Sequence, residues 1–219
     1  MRVVIAGGHG KIALILERLL SQRGDSVAGF IRNPEHAADL EAAGAEPLVA
    51  DLEHVTVDEV AAHLRGADAV VFAAGAGPGS GAARKDTVDR DAAILLADAA
   101  EAAGVRRFLV VSSTGADANA PDGDDPVFTT YLRAKGAADD SVRARSALDW
   151  TIVRPGHLTD EPGTGRVEIA DETLRGSIPR EDVAAVLLAL VDTPGTAGQT
   201  LEVIGGEAPI GKAVTAAVR

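Results

Sequence analysis

The 219-residue chain suits one large domain or two small ones, and 46% hydrophobic content with only 3% aromatics calls for a core of Ala, Val, Leu and Ile. It contains no cysteine, which excludes disulfides, thiolate metal sites and a cysteine nucleophile and fits a reducing, cytoplasmic setting. A formal net charge of −12, with basic residues scattered along the chain, argues against nucleic-acid phosphates and anionic membrane surfaces as partners.

An apolar run, Val3–Ala6, opens the chain as a strand, so no secretory signal is expected, and no apolar run reaches the roughly 18 residues of a membrane span. The strand passes into Gly7, Gly8 and Gly10 and then into a helical pattern, Ile12–Ser21. A strand ending in a glycine turn that opens a helix gathers free backbone N–H groups at the positive helix end, where a dinucleotide pyrophosphate binds. Gly7, Gly8, His9, Gly10 and Lys11 are therefore cofactor-binding candidates, with the small Ala13 at the third glycine position.

The second strand, Val27–Ile31, ends in Arg32-Asn33 rather than the Asp or Glu that holds the adenosine ribose of NAD. A guanidinium there suits a 2′-phosphate, so NADP(H) is expected over NAD(H), with His9 and Lys11 adding positive potential. A helix over Glu35–Ala43 and a strand over Glu46–Val49 lead to Asp51, which serves either as acceptor for the adenine amino group or as a turn cap. A helix over Val57–Leu64 and a strand over Ala69–Phe72 lead to Ala73, Ala74 and Gly75, small enough for backbone to pass the adenosine and ribose.

After a helix over Thr87–Ala103, strand Phe108–Val111 runs into the hydroxyls of Ser112, Ser113 and Thr114. The next helical pattern, Tyr131–Arg145, carries Tyr131 and Lys135 at i and i+4, on one face. An ammonium beside a phenol favours the phenolate, so Tyr131 is a candidate general acid or base. Strand Trp150–Val153, helix Arg180–Val191 and strand Leu201–Ile204 complete the pattern, and 205–219 is a short terminal helix or a frayed tail. Gly24, Gly44, Gly66 and Gly104 follow helical segments as terminators. His36, His54, His63 and His157 show no metal-ligand spacing, so no metal is expected.

Strands alternating with helices at this spacing predict an α/β fold: a doubly wound, mostly parallel sheet with helices on both faces, Rossmann-like. One domain over 1–219 is expected. Loops at 74–84, 114–129 and 154–179, each starting where a strand ends, should overhang the crevice at the carboxyl ends of the strands.

Together, Ala6-Gly-Gly-His-Gly-Lys-Ile12, Arg32-Asn-Pro34, Asp51-Leu52, Val111-Ser-Ser-Thr114, Tyr131-x-x-x-Lys135 and Arg154-Pro-Gly156 resemble the short-chain dehydrogenase/reductase superfamily. The resemblance is to its small atypical members with an NAD(P)H-binding, epimerase-like fold, and it covers nearly the whole chain. It implies that Tyr131 is the acid/base and that Lys135 holds the nicotinamide ribose. It matches Thr114 to the family's Ser/Thr, with Ser113 the runner-up, and adds Ile12, Leu52, Ser112, Pro155 and Gly156 to the cofactor side. The chain departs from larger epimerase-like members in lacking a substantial carboxyl-terminal substrate domain, and Asp160-Glu-Pro-Gly-Thr-Gly165 is similar to flavin/biliverdin reductase-like proteins.

The expected activity is NADP(H)-dependent oxidoreduction of a small carbonyl, quinone or flavin-like molecule by a monomer or small homo-oligomer. The alternatives are a non-catalytic NADP(H) sensor and, less favoured by length, a sugar-nucleotide epimerase.

Overall fold

The computed structural model describes residues 1–77, 80–173 and 175–219. In chain order the elements begin with β1 (Arg2–Ala6), α1 (Lys11–Arg23), β2 (Ser26–Ile31), α2 (Ala37–Ala43), β3 (Glu46–Val49), α3 (Val57–Leu64) and β4 (Ala69–Phe72). A helical turn, α4 (Ala82–Arg84), continues through a π-helical stretch, Lys85–Asp91, into α5 (Ala92–Ala103). Then follow β5 (Arg107–Val111), α6 (Pro126–Arg143), β6 (Asp149–Pro155), β7 (His157–Thr159), β8 (Arg166–Ala170) and β9 (Ser177–Pro179). The chain finishes with α7 (Arg180–Val191), β10 (Gln199–Gly205), β11 (Ala208–Pro209) and α8 (Ile210–Ala216).

Nine strands form one sheet in the order β11-β8-β10-β6-β5-β4-β1-β2-β3. From β3 to β10 every neighbouring pair is parallel, whereas β8 runs antiparallel to both β10 and β11. The order 3-2-1-4-5-6 reverses between β1 and β4, the switch point at which doubly wound folds bind ligands. The Rossmann-like expectation therefore holds.

The sheet is covered on both faces, which is why its central strands read as unbroken apolar runs. Because side chains alternate, Val3 and Ile5 of β1 pack with Leu16 and Leu20 of α1 and Leu187 and Leu190 of α7. Val4 and Ala6 face the other way, with Leu64 of α3, Leu96 of α5 and Val142 of α6. Gly24, Gly44 and Gly104 end α1, α2 and α5 in the left-handed conformation, each donating back to carbonyls of the last turn.

The larger departures from the sequence expectation lie at helix starts and in the expected loops. The helix expected from Glu35 opens with a 3-10 turn at Pro34–His36, where Asn33 accepts from the Glu35 amide. The helix expected from Thr87 begins earlier, at Ala82, within the expected 74–84 loop, whose residues 78 and 79 lie outside the described residues. α6 begins at Pro126, inside the expected 114–129 loop, because Asp125 caps it by accepting from the Val127 and Phe128 amides and Pro126 fits the first turn.

The expected 154–179 loop, of which residue 174 lies outside the description, holds three short strands. β7 and β9 pair with each other and β8 joins the main sheet. Their apolar signals are single residues, and Val167 and Ile178 are fully buried. Of the two alternatives for the tail the short terminal helix is the one formed, as α8 after β11, with Val214 buried against the α7 side of the sheet.

Candidate functional site

The crevice is built from the β1 turn outward. Gly7 has φ +83, and a Cβ on it would lie 2.6 Å from the Ala74 Cα, so only glycine lets this turn pass the end of β4. The Gly10 amide donates to the Gly7 carbonyl at 2.8 Å, closing the turn. Gly10 then precedes α1 with no side-chain cap and no acidic residue in the first turn. The amides opening α1 thus keep their anion-binding capacity.

Beside this turn lies a cavity of about 240 Å³. Its lining includes the candidates Gly7, His9, Gly10, Arg32, Asp51, Leu52, Ala73, Ala74 and Gly75. Phe30, Asn33, His36, Glu53, Arg84 and Val88, none of them a cofactor-binding candidate from the sequence, join them. The His9 and His36 rings stack at 3.6 Å, and His9 Nε2 lies 2.8 Å from Asp39 Oδ2. Asp51 takes the turn-cap role: its Oδ1 accepts from the Glu53 amide at 3.1 Å and its Oδ2 pairs with His54 Nδ1. Burial pushes the Asp51 carboxyl up, but these bonds and the nearby Arg32 charge outweigh it and leave the pKa lowered. Glu53 is likewise lowered, its burial outweighed by bonds from Thr87 and Arg84.

Lys135 reaches the same strip from the opposite side. Its side chain is 5% exposed, and its ammonium donates to the Val111 carbonyl at 3.1 Å and the Ala74 carbonyl at 3.3 Å and lies 3.3 Å from Asp89 Oδ1. Asp89 belongs to the π-helical stretch, and its Oδ2 accepts from the Ala76 amide at 3.2 Å. Short π-helical segments recur at functional sites because they re-aim a side chain within a helix.

Tyr131 lies one turn before Lys135. Its ring centroid is 6.0 Å from the Lys135 ammonium and 5.3 Å from that of Lys85, and it stacks with the half-exposed Phe128 at 5.9 Å. Among the described residues the Tyr131 hydroxyl has no hydrogen-bond partner, so Thr114 and Ser113 are not joined to it. Thr114 Oγ1 is directed at the Arg154 and Pro155 carbonyls, and Ser113 Oγ donates to the Thr114 carbonyl.

Other candidates lie outside the cavity lining. Ser112 is buried and donates to Asp139 at 2.9 Å, and the same carboxylate accepts from Arg154 at 2.7 and 2.9 Å. Burial nonetheless raises the Asp139 pKa against these partners. Gly8 packs between Gly29, Leu40 and the carboxyl of Glu17, and Ile12 is core. Lys11 pairs with Asp160 at 2.5 Å, and Asp160 also pairs with Arg180 at 2.5 Å. Pro155 offers its carbonyl to Thr114, and Gly156 packs on Gly176 and Ile204.

Glu17, fully buried, has no hydrogen-bond partner on either oxygen among the described residues, and desolvation raises its pKa to about 8. The segment after Asp160 is tied to α7, where Asp182 accepts from the Thr164 and Gly165 amides and Glu181 from that of Gly163. Gly136 on α6 lets the β5–α6 loop lie against the helix, since a Cβ there would fall 2.2 Å from the Ala118 nitrogen.

A glycine turn closed on the end of β4, an uncapped α1 and a basic cavity edge fit a dinucleotide. The NAD(P)H-binding family profile matches residues 7–194 of this sequence. The chain belongs to the NAD(P)H-binding family.

Within that family, the chain is 38% identical to the "Uncharacterized sugar epimerase YhfK" of Bacillus subtilis, over 98% of this chain and 99% of the relative. It superposes with a TM-score of 0.90 on the structure "Putative NAD-dependent epimerase/dehydratase from Bacillus halodurans", at 40% identity and covering 99% of each chain. ChuY, an anaerobilin reductase from Escherichia coli O157:H7, matches with a TM-score of 0.79 and 25% identity, covering 94% of this chain and 97% of that one. This chain is thus an atypical short-chain dehydrogenase/reductase-like NAD(P)H binder, and no helix among its described residues is long and apolar enough to cross a membrane.

Proposed function

We propose that this NAD(P)H-binding protein is an NADP(H)-dependent oxidoreductase acting on a small carbonyl, quinone or flavin-like substrate. The observation that carries the reading is the meeting at Ala74. Gly7 of the phosphate turn packs on its Cα, and the Lys135 ammonium, one turn from Tyr131, bonds its carbonyl. Phosphate cradle and proton donor thereby share one strip of backbone.

Gly7, Gly10 and the first amides of α1 would hold the pyrophosphate, and Arg32 the 2′-phosphate. The bound cofactor supplies a hydride. Tyr131 supplies the proton to the substrate oxygen, its hydroxyl being uncommitted to any protein group among the described residues. Lys135 holds the end of β5 and the Ala73–Gly75 strip in place. Phe128, stacked on Tyr131, offers an exposed aromatic face for a flat substrate.

A second reading, a non-catalytic cofactor sensor, draws on the commitment of Lys135 to Asp89 and of the Ser112, Ser113 and Thr114 hydroxyls to protein groups.

NADPH absorbance loss across a carbonyl, quinone and flavin panel decides between them. Turnover that disappears in Tyr131→Phe, with folding unchanged by circular dichroism, is the expected result. Turnover that survives the change removes Tyr131 from the chemistry and points to flavin-reductase-like reduction. Tight NADPH binding with no turnover on any substrate favours the sensor.

A further inference from the structure

Glu53 follows Asp51-Leu52 in the turn after β3, inside the cavity lining, with its side chain 15% exposed. Its Oε2 accepts from Arg32 Nη1 at 3.1 Å and from Arg84 Nη2 at 2.8 Å, and its Oε1 accepts from Thr87 Oγ1 at 2.6 Å. Arg32 comes from the end of β2, Arg84 from α4 and Thr87 from the π-helical stretch, so three elements converge on one carboxylate.

Two guanidiniums sharing one acceptor would repel each other without it. Their planar donor forks suit a phosphate as well as a carboxylate, and a phosphomonoester brings more charge and three acceptor oxygens. The Glu53 backbone is tied separately, its amide donating to Asp51 Oδ1 at 3.1 Å. Its side chain can therefore swing out of the arginine pair by rotation alone.

We propose that Glu53 determines cofactor specificity in this site, as a resident anion that occupies the Arg32–Arg84 pair until a 2′-phosphate displaces it. This rests on the NADP(H) reading above and extends it to Arg84, Thr87 and Glu53. The carboxylate keeps the arginines assembled in the free protein and opposes the phosphate that replaces it. Its removal strengthens binding of the phosphorylated ribose and leaves the unphosphorylated ribose without that gain.

The test is calorimetric titration of the full chain with adenosine 2′,5′-bisphosphate and with AMP, which differ only in the 2′-phosphate. Glu53→Gln is expected to tighten the bisphosphate by about tenfold or more and to change AMP by no more than about twofold. Thr87→Val, which keeps the carboxylate but frees Oε1, should tighten the bisphosphate in the same direction by less. Arg32→Ala and Arg84→Ala should each weaken it by about tenfold with AMP little changed.

If both arginine variants behave so while Glu53→Gln leaves the bisphosphate-to-AMP ratio unchanged or lowers it, the resident-anion role is overturned and the NADP(H) reading stands. If neither arginine variant moves the ratio, the NADP(H) reading falls and this inference with it.

Discussion

The glycine turn after β1 and the Tyr131–Lys135 turn of α6 both close on Ala74, yet they are made in different ways. At the glycine turn the shape is steric and local: Gly7 has a positive φ, and any Cβ would overlap Ala74. At α6 the shape depends on charge and on distant partners, with Lys135 buried against Asp89, 46 residues earlier in the chain. The first tolerates no side chain of any kind. The second tolerates an exchange of both partners, because a buried ion pair contributes little beyond a well-packed apolar pair, whereas half a pair is costly.

Substitutions at the two ends should separate these mechanisms. Gly7→Val forces a β-branched residue to positive φ and onto the Ala74 backbone. It should lower unfolding free energy by about 4 kcal/mol in urea titration and abolish NADPH binding. Lys135→Met strands Asp89 in the core and should cost about 3 kcal/mol by the same measurement. Adding Asp89→Leu to it should recover most of that stability but none of the turnover. A double variant no more stable than Lys135→Met would break the comparison.

A third case lies beneath the glycine turn. Glu17 is protonated in the folded protein up to about pH 8, while an unfolded chain ionises it near 4.5. Because the folded pKa is raised, its contribution to stability is full below the unfolded value and is lost as pH rises towards the folded one. Across that window Glu17 should reduce stability by about 1.4 kcal/mol per pH unit, and Glu17→Gln should flatten this part of a pH–stability curve from chemical denaturation. The smallest effect is expected at the exposed Lys11–Asp160–Arg180 group: Asp160→Asn should shift Tm by about 1 °C or less in differential scanning fluorimetry.

The same division explains what could be read from the amino-acid order. The β–α alternation, the glycine turn and the helix-ending glycines are local patterns a few residues long, and the sheet follows from them. Asp125-Pro126 is an equally local start signal, and it places the start of α6 ahead of the Tyr131 pattern. β7, β8 and β9 leave no such trace, because each contributes only three to five residues and at most one buried side chain. In the cavity, Arg32 stood out by its place after β2. Arg84 and Glu53 did not, since their meaning lies in a contact between the β3 turn and α4 that no spacing announces. The commitment of Ser112 to Asp139 and Arg154 is likewise a long-range fact.

Gly136 sits next to Lys135 in the middle of a helix, where glycine is a poor helix former, and the backbone of Asp117–Ala118 rests directly on it. The separation between the β5 hydroxyls and the Tyr131 turn is thus gauged by a missing methyl group. Gly136→Ala would favour the isolated helix and at the same time lift the loop that joins β5 to it. The residue that weakens α6 as a helix is the one that lets it serve as a ruler.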